Sequence, residues 1–414
     1  MLIVGAYADS LPVLGAGPSR IGRLSNFLES FAPQQVAVHL LPFYPSAGDF
    51  GFAPDTLRDV RTDLGTWDDI SSCASRRRVI VDGIYNHVGI NHKWVAEFFD
   101  CPKTASAVLH GYKVEGPEVG PLSPRGQRVL HPYDIAEETW YLWQTFTKYA
   151  VDVRLDNERV LTEIDCHLGQ LARCGVWGVR LDAPAYYAKA LGQNIRHLAG
   201  VYQLAEKLAD LIRGRGLEVM AQIDCDLDGL KYFAELGYED IPISDFAFST
   251  YLALAIIDGD PVALARYLND QRDLRRVLVR APRTHDGILL RSSRLHHTDR
   301  SKLIAFASNC GVPVRATGAD PYELNCSAPY LYSKAVGREN LNSVIELAVA
   351  VTALSGGWCY LYLPFLLGCI PETDTADVTA ADSDSADPRS VNRRPISIVN
   401  AGRKLTQFPI GSPV

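Results

Sequence analysis

Eight short, β-rich apolar runs separated by amphipathic stretches dominate this 414-residue chain and leave it few ways to fold. They are Leu2-Ala6, Val36-Leu41, Val79-Ile84, Val176-Leu181, Leu217-Ile223, Ile243-Phe246, Arg276-Val279 and Trp358-Leu361. Strands that alternate with helical patterns are the signature of repeated βα units and a parallel sheet, either a doubly wound sheet or a barrel. Eight such runs are what a closed (β/α)8 TIM barrel needs, and that is the α/β fold expected. Between them, apolar residues recur at Ile195, Leu198, Val201, Leu204, Leu208, Leu211 and Ile212, with Gly214 and Gly216 as a stop signal. That period predicts a core-facing helix over Asn194-Gly214.

Two intervals are too long for simple connections: about 90–150, rich in Pro, Gly and His, and about 288–340, rich in Arg, Asn and Tyr. Long insertions of this kind usually carry function at the strand C-termini. The expected division is barrel over 1–89, an insertion domain over 90–155, barrel again over 156–287, a second insertion over 288–340, and the end of the barrel with a short tail over 341–414. The segment Glu372-Asp387 is small, polar and acidic and reads as a solvated loop. Asp382 and Asp384 are spaced like calcium ligands, but no Gly or closing Glu follows at the EF-hand positions, so no metal site is expected.

With 47% hydrophobic and 21% charged residues, the chain has the profile of a compact globular protein. A net charge of -7 leaves no general basic face for a phosphate backbone, so nucleic acid is not an expected partner. Nine cysteines stand as singles with no C-x-x-C pair, which reads as buried free thiols rather than a zinc site or a disulfide framework. The N-terminus, MLIVGAYADS, has neither a basic n-region nor a cleavage site, so a cytoplasmic location is expected. Leu347 to Cys369 is uncharged and long enough to span a bilayer, but Gly356-Gly357 and Pro364 interrupt it. A buried helix, a turn and a fully buried strand are expected there instead of a membrane span. GAYADSLPVLGAG after the first strand does not fit G-x-G-x-x-G, and no nicotinamide or other cofactor is expected.

Polar residues gather where barrel enzymes place their chemistry, at the C-terminal ends of the strands. The third strand runs into VIVDGIYNHVG, with Asp82, Asn86 and His87; the fourth reads GVWGVRLDAPAYY, with Arg180 and Asp182; the seventh leads to RTHDGI, with His285 and Asp286. Taken singly, each has an ordinary structural reading as salt-bridge acceptor, core histidine or helix N-cap. Arg180 and Asp182 differ because alternation points both to one side of the strand. An arginine beside a carboxylate holds it ionised, which a carboxylate nucleophile at neutral pH needs.

DGIYNHV, GVRLDA and THD, in that order and spacing, resemble the signature regions of the α-amylase superfamily of glycoside hydrolases and transglycosylases. HLLPFYPSAGDFGFAP at 39–54, DLGTWDD at 63–69 and YELNCSAPYLYSKAVG at 322–337 resemble its sucrose phosphorylase branch, and the likeness extends to NRR at 392–394. The resemblance implies retaining chemistry through a covalent glycosyl-enzyme, with Asp182 as nucleophile and Asp286 as the aspartate that binds sugar hydroxyls and stabilises an oxocarbenium-like transition state. It implies that Asp49, Phe52, His87, Arg180, His285 and Arg393 shape a pocket for a non-reducing glucosyl unit.

Retaining hydrolysis uses two carboxyls about 5 to 5.5 Å apart, one of them the acid/base. The family takes that glutamate from the end of strand five, where this chain reads LEVMAQIDCD and the matching residue is Gln222. An amide cannot donate and recover a proton, so help worth roughly 10² to 10⁴ in rate is expected to be missing. Three accounts stand open. Another carboxylate replaces it, Glu323 first, because related sequences have Gln there, and Asp224 second. Alternatively the leaving group or acceptor is already acidic, a phosphate, phenol or carboxylate, and needs no acid. The third account is a sugar-binding pseudoenzyme without turnover. The C-terminal β-sandwich of the family is nearly absent, which is expected to expose an apolar surface for a second subunit, giving a homodimer. The rebuilt acidic loop near Gly368-Asp387, which in relatives borders the acceptor site, points away from fructose or phosphate as a given acceptor. The expected function is therefore retaining α-glycosyl transfer or phosphorolysis on an α-glucoside or sugar phosphate donor, with the acceptor open.

Overall fold

The computed structural model describes residues 1–11, 17–114, 121–123, 127–193, 195–196, 198, 200–223, 240–272, 278–290, 295–317 and 320–370. Eight strands close into a parallel barrel in strict chain order: β1 (Leu2–Ala6), β2 (Ala37–Leu40), β3 (Val79–Gly83), β4 (Gly178–Leu181), β5 (Glu218–Ala221), β6 (Ile243–Ser244), β7 (Leu278–Arg280) and β8 (Trp358–Tyr362). Each falls within or within a residue of its apolar run. The strands are buried almost end to end, as expected when helices cover a parallel sheet and side chains fill its interior. The chain divides into two compact units, residues 40–223 and residues 1–39 with 224–414.

In the unit formed by 40–223, β3 and β4 run in parallel register, Asp82 beside Arg180 and Gly83 beside Leu181. The chain then leaves the barrel. His87–Gly89 pairs antiparallel with Ala150–Asp152, and Glu138–Trp143 is the centre of a three-stranded antiparallel sheet with Gly111–Tyr112 and Leu130–Ile135. This sheet has its own apolar cluster of Val129, Leu130, Tyr141, Trp143 and Ile195. The segment DLGTWDD is a helix start: Thr66 accepts from the Asp69 N–H while Asp69 accepts from the Thr66 N–H at 2.8 Å, a capping box that opens the helix Trp67–Ala74.

In the other unit, β8 lies between β1 and β7, and β7 pairs with β6. Ile288–Leu289, Asp320–Leu324 and Val314–Thr317 form a small antiparallel sheet with Asp320–Leu324 central. The helix Ala328–Val336 follows, its first turn capped by Ser327.

Three expectations need correction. The helix predicted over Asn194-Gly214 begins at Val201, because Gly200 turns through a left-handed conformation (φ 89°) just before it; Ile195 joins the apolar cluster of the small sheet instead. Of the cysteines expected to be buried, Cys101 and Cys166 are exposed, while Cys73, Cys174, Cys326 and Cys359 are buried. Leu347 to Cys369 does break into a helix, a two-glycine turn at Gly356 and Gly357, and the strand β8. The outer face of that helix, however, is not buried: Leu354 is 85% exposed. No helix of the described residues is long and apolar enough to cross a membrane. Asp224, Arg393, Asp382, Asp384 and the rest of Glu372-Asp387 lie outside the described residues.

Candidate active site

Asp182 stands at the tip of β4, its N–H donating to the Gly83 carbonyl at 3.1 Å as the last rung against β3. The next residue, Ala183, takes a left-handed conformation (φ 53°, ψ 37°) that turns the chain sharply away. A non-glycine residue pays roughly 1–2 kcal/mol for that conformation. The side chain behind Asp182 is Arg180, whose Nη1 lies 3.6 Å from Asp182 Oδ1 and donates a short hydrogen bond to Asp82 Oδ1. Register pairing of Asp82 with Arg180 brings this about, since register partners on parallel strands point to the same side. The Asp82–Arg180 pair is sealed from solvent, so the guanidinium is fixed from below and presents its remaining charge to Asp182.

His87 is buried, with Nε2 2.6 Å from the Phe52 carbonyl and Nδ1 3.2 Å from Asn86 Nδ2. A carbonyl can only accept and an amide nitrogen only donate, so the ring is neutral with its proton on Nε2. Burial, the largest cause, pulls its pKa below the ordinary histidine value, against the opposing pull of Asp152 and the Phe52 bond. The same bond anchors the loop that carries Asp49 and Phe52. In that loop Asp49 and Phe50 are consecutive left-handed residues (φ 52° and 51°), followed by Gly51 (φ 94°), whose missing Cβ would meet Pro42 Cβ at 2.8 Å.

Below His87 lies a buried polar network for which the sequence reading had no place. Lys189 Nζ donates to Asn86 Oδ1 at 2.6 Å and the Tyr186 carbonyl at 2.6 Å, and pairs with Asp152 Oδ2 at 2.9 Å. Asp152 also accepts from Asn86 Nδ2, from the Thr145 N–H and from the Thr145 hydroxyl. Burial pushes the Lys189 pKa down, opposed by Asp152. Its only sequence signal is a lysine in the otherwise apolar and aromatic run APAYYAKAL.

Gln222 follows β5 directly, its N–H donating to the Leu181 carbonyl at 3.0 Å. Its side-chain carbonyl, Oε1, is buried with no hydrogen-bond partner among the described residues. A buried acceptor left open is costly unless something else supplies the donor.

In the second unit, His285 is buried, Nε2 3.5 Å from Asp286 Oδ1, with the rings of Tyr7 and Tyr362 edge-on at 6.0 and 6.3 Å. Asp286 is half-buried on the segment after β7. Glu323 sits against the same segment: a Cβ on Gly287 would fall 2.3 Å from its Cγ. Its carboxylate lies 3.6 Å from Arg315 Nη1, the residue opposite it on the neighbouring strand.

Residues 34–198 match the family described as "Alpha amylase, catalytic domain". A sucrose phosphorylase of Agrobacterium vitis is 28% identical over 379 residues, covering 84% of this chain and 74% of that protein. A glucosylglycerate phosphorylase of Spirochaeta thermophila is 31% identical over 193 residues, 46% of this chain and 32% of that protein. The crystal structure of sucrose 6F-phosphate phosphorylase from Thermoanaerobacter thermosaccharolyticum superposes with a TM-score of 0.82 at 20% identity, over 99% of this chain and 84% of that one. Residues 34–198 thus carry an α-amylase catalytic-domain match, and the chain is similar to sucrose phosphorylases. Its relatives include enzymes named as phosphorylases, and the matched span of the α-amylase catalytic domain includes Asp49, Phe52, His87, Arg180 and Asp182.

Proposed function

We propose that this protein is an α-amylase-superfamily enzyme that carries out retaining α-glycosyl transfer or phosphorolysis through a glycosyl-Asp182 intermediate. The observation that carries this reading is the Arg180 guanidinium, braced by Asp82 and 3.6 Å from Asp182 Oδ1 at the strand tip. In the first step the Asp182 carboxylate bonds to the anomeric carbon as the bond to the leaving-group oxygen breaks, and the departing oxygen keeps the electron pair. In the second step an acceptor oxygen bonds to that carbon and releases Asp182 as carboxylate. Asp286 stabilises the oxocarbenium-like positive charge that develops in the transition state of each step, and Asp49, Phe52, His87, Arg180, His285 and Arg393 hold the sugar.

Of the three accounts of Gln222, the one that dispenses with a general acid is best supported. A general acid must be protonated at working pH, and Glu323, the first replacement considered, faces the permanent charge of Arg315 at 3.6 Å, which favours its carboxylate form. Gln222 Oε1, an open buried acceptor, suits a hydrogen bond from a sugar hydroxyl instead. The substrates that fit are donors and acceptors that are already acidic: a glycosyl phosphate, or a phosphate, phenol or carboxylate acceptor. The small sheets over 90–155 and 288–340 are read as insertion domains bordering the acceptor, and the protein as a cytoplasmic homodimer. A sugar-binding protein without turnover is the competing reading, favoured by the same Gln222.

The test is to trap the intermediate with a slowly reacting fluorinated α-glucosyl fluoride and weigh the intact chain. Gain of one glycosyl unit, mapped to the peptide containing Asp182, is expected. A chain of unchanged mass under conditions where Asp182→Asn behaves identically would remove the catalytic reading.

A further inference from the structure

Two buried arginines lie three residues apart after and within β7, and they are treated differently. Arg280 is fully satisfied: its Nε donates to Asp245, one terminal nitrogen to the Ser355 carbonyl at 2.6 Å, and the other to Gln271 at 3.1 Å. Arg283, three residues before Asp286 and 2% exposed, makes a single hydrogen bond, a long one of 3.3 Å to the Cys326 carbonyl. Its Nε is buried with no partner, and it forms no ion pair among the described residues. Burying a guanidinium with one long hydrogen bond and no direct ion pair is unfavourable, and an added acceptor would complete it.

The surroundings say what that is. Asp286 and Glu323 both act on Arg283 electrostatically, yet neither forms an ion pair with it: Asp286 lies 3.5 Å from the His285 ring and Glu323 3.6 Å from Arg315. Tyr332, on the helix that starts just beyond Cys326, is wholly buried; its hydroxyl also has no hydrogen-bond partner among the described residues, and it lies within electrostatic reach of Arg283. One guanidinium N–H and one phenol O–H, unpaired on adjoining segments, are two donors without an acceptor. An oxyanion supplies the acceptors and the charge together.

We propose that Arg283 and Tyr332 bind the oxyanionic group of the substrate, a phosphate or a carboxylate, beside Asp286. The proposal rests on the reading that the enzyme uses acidic donors or acceptors, and it places the recognition of that acidity on two residues of the chain. An arginine at this position selects for negative charge, and a neutral sugar alcohol leaves it unpaired.

The full-length protein is titrated with inorganic phosphate and, separately, with glycerate, by calorimetry and by thermal shift. Saturable binding of one of them is expected, phosphate marking a phosphate site and glycerate a carboxylate site. Arg283→Met is expected to weaken that binding by about tenfold or more, as befits a charged hydrogen bond, and Tyr332→Phe by about threefold. Without anion, Arg283→Met is expected to melt above the wild type, because it removes a buried charge that lacks a direct ion pair, and to lose the anion-dependent rise in Tm. Binding of neither anion, or binding unchanged in Arg283→Met, overturns the proposal. Should Arg283→Met fail to fold, Tyr332→Phe decides, since it removes only an oxygen without a partner; unchanged binding there overturns it. Fluoride release from α-glucosyl fluoride, measured alongside, separates this failure from loss of the catalytic reading, because that donor needs no oxyanion site.

Discussion

Lys189 Nζ and Asp152 Oδ2 lie 2.9 Å apart with both side chains shut away from solvent, and the pair holds together two segments that carry proposed pocket residues. Asp152 ends the strand opposite His87, and Lys189 follows the sharp turn after Asp182. The ammonium, shared among Asn86, Asp152 and the Tyr186 carbonyl, therefore fixes the loop of the proposed nucleophile to the strand of the proposed sugar-binding histidine.

Removing the lysine leaves Asp152 as a buried charge without its cation, which costs about 3–5 kcal/mol. Lys189→Met is thus expected to lose that much in chemical denaturation, whereas Lys189→Met combined with Asp152→Asn recovers a good part of it. A double variant no more stable than the single one would show that the two side chains are not coupled.

Gly287 and Glu323 give a second test. A methyl group on Gly287 falls 2.3 Å from Glu323 Cγ, too close for any real contact. Overpacking of this kind costs about 1–3 kcal/mol. Gly287→Ala is expected to destabilise by that amount in the wild-type background and by much less with Glu323→Ala, read from urea midpoints.

Acid sensitivity follows from His167, buried on the helix Glu158–Arg173 between the hydroxyls of Tyr44 at 2.9 Å and Tyr85 at 3.0 Å. Burial pulls its pKa down to about 3, while the unfolded chain titrates near about 6.5. Between those values the unfolded state holds the extra proton, so stability is complete above the upper value and falls as pH drops toward the lower one. The slope is about 1.4 kcal/mol per pH unit for one histidine. His167→Gln is expected to flatten the stability profile between roughly pH 6 and 4 by about one proton; a profile parallel to the wild type contradicts this.

The barrel was legible because each strand is a continuous apolar run, buried on both faces. Helix starts were less so. The stripe of Ile195 and Leu198 continues the period of the helix that follows, and only the backbone of Gly200 cuts it off. Alternation suffices to set Arg180 beside Asp182, but the partner that braces Arg180 is Asp82, nearly a hundred residues away and visible only through strand register. Lys189, Asp152 and Arg283 escaped notice for the same reason: a buried charge is defined by its neighbours in space, and nothing in APAYYAKAL or RAPRTHDGI announces them.

Gln222→Glu puts a carboxyl at the position where the resemblance places the family's acid/base glutamate. If strand five is correctly aligned with its relatives, turnover of unactivated α-glucosides is expected to rise by about 10² to 10⁴, with little change for glycosyl fluorides. A folded but inactive Gln222→Glu variant argues that another residue occupies that position.

The most direct measurement is initial fluoride release from α-glucosyl fluoride by the wild type and by Asp182→Ala. Fluoride needs no proton to depart, so the donor asks only whether Asp182 attacks an anomeric carbon. Rapid release by the wild type and none above background by Asp182→Ala is the predicted result. Equal release by both proteins, or no release by the wild type while it still binds sugar, contradicts the account.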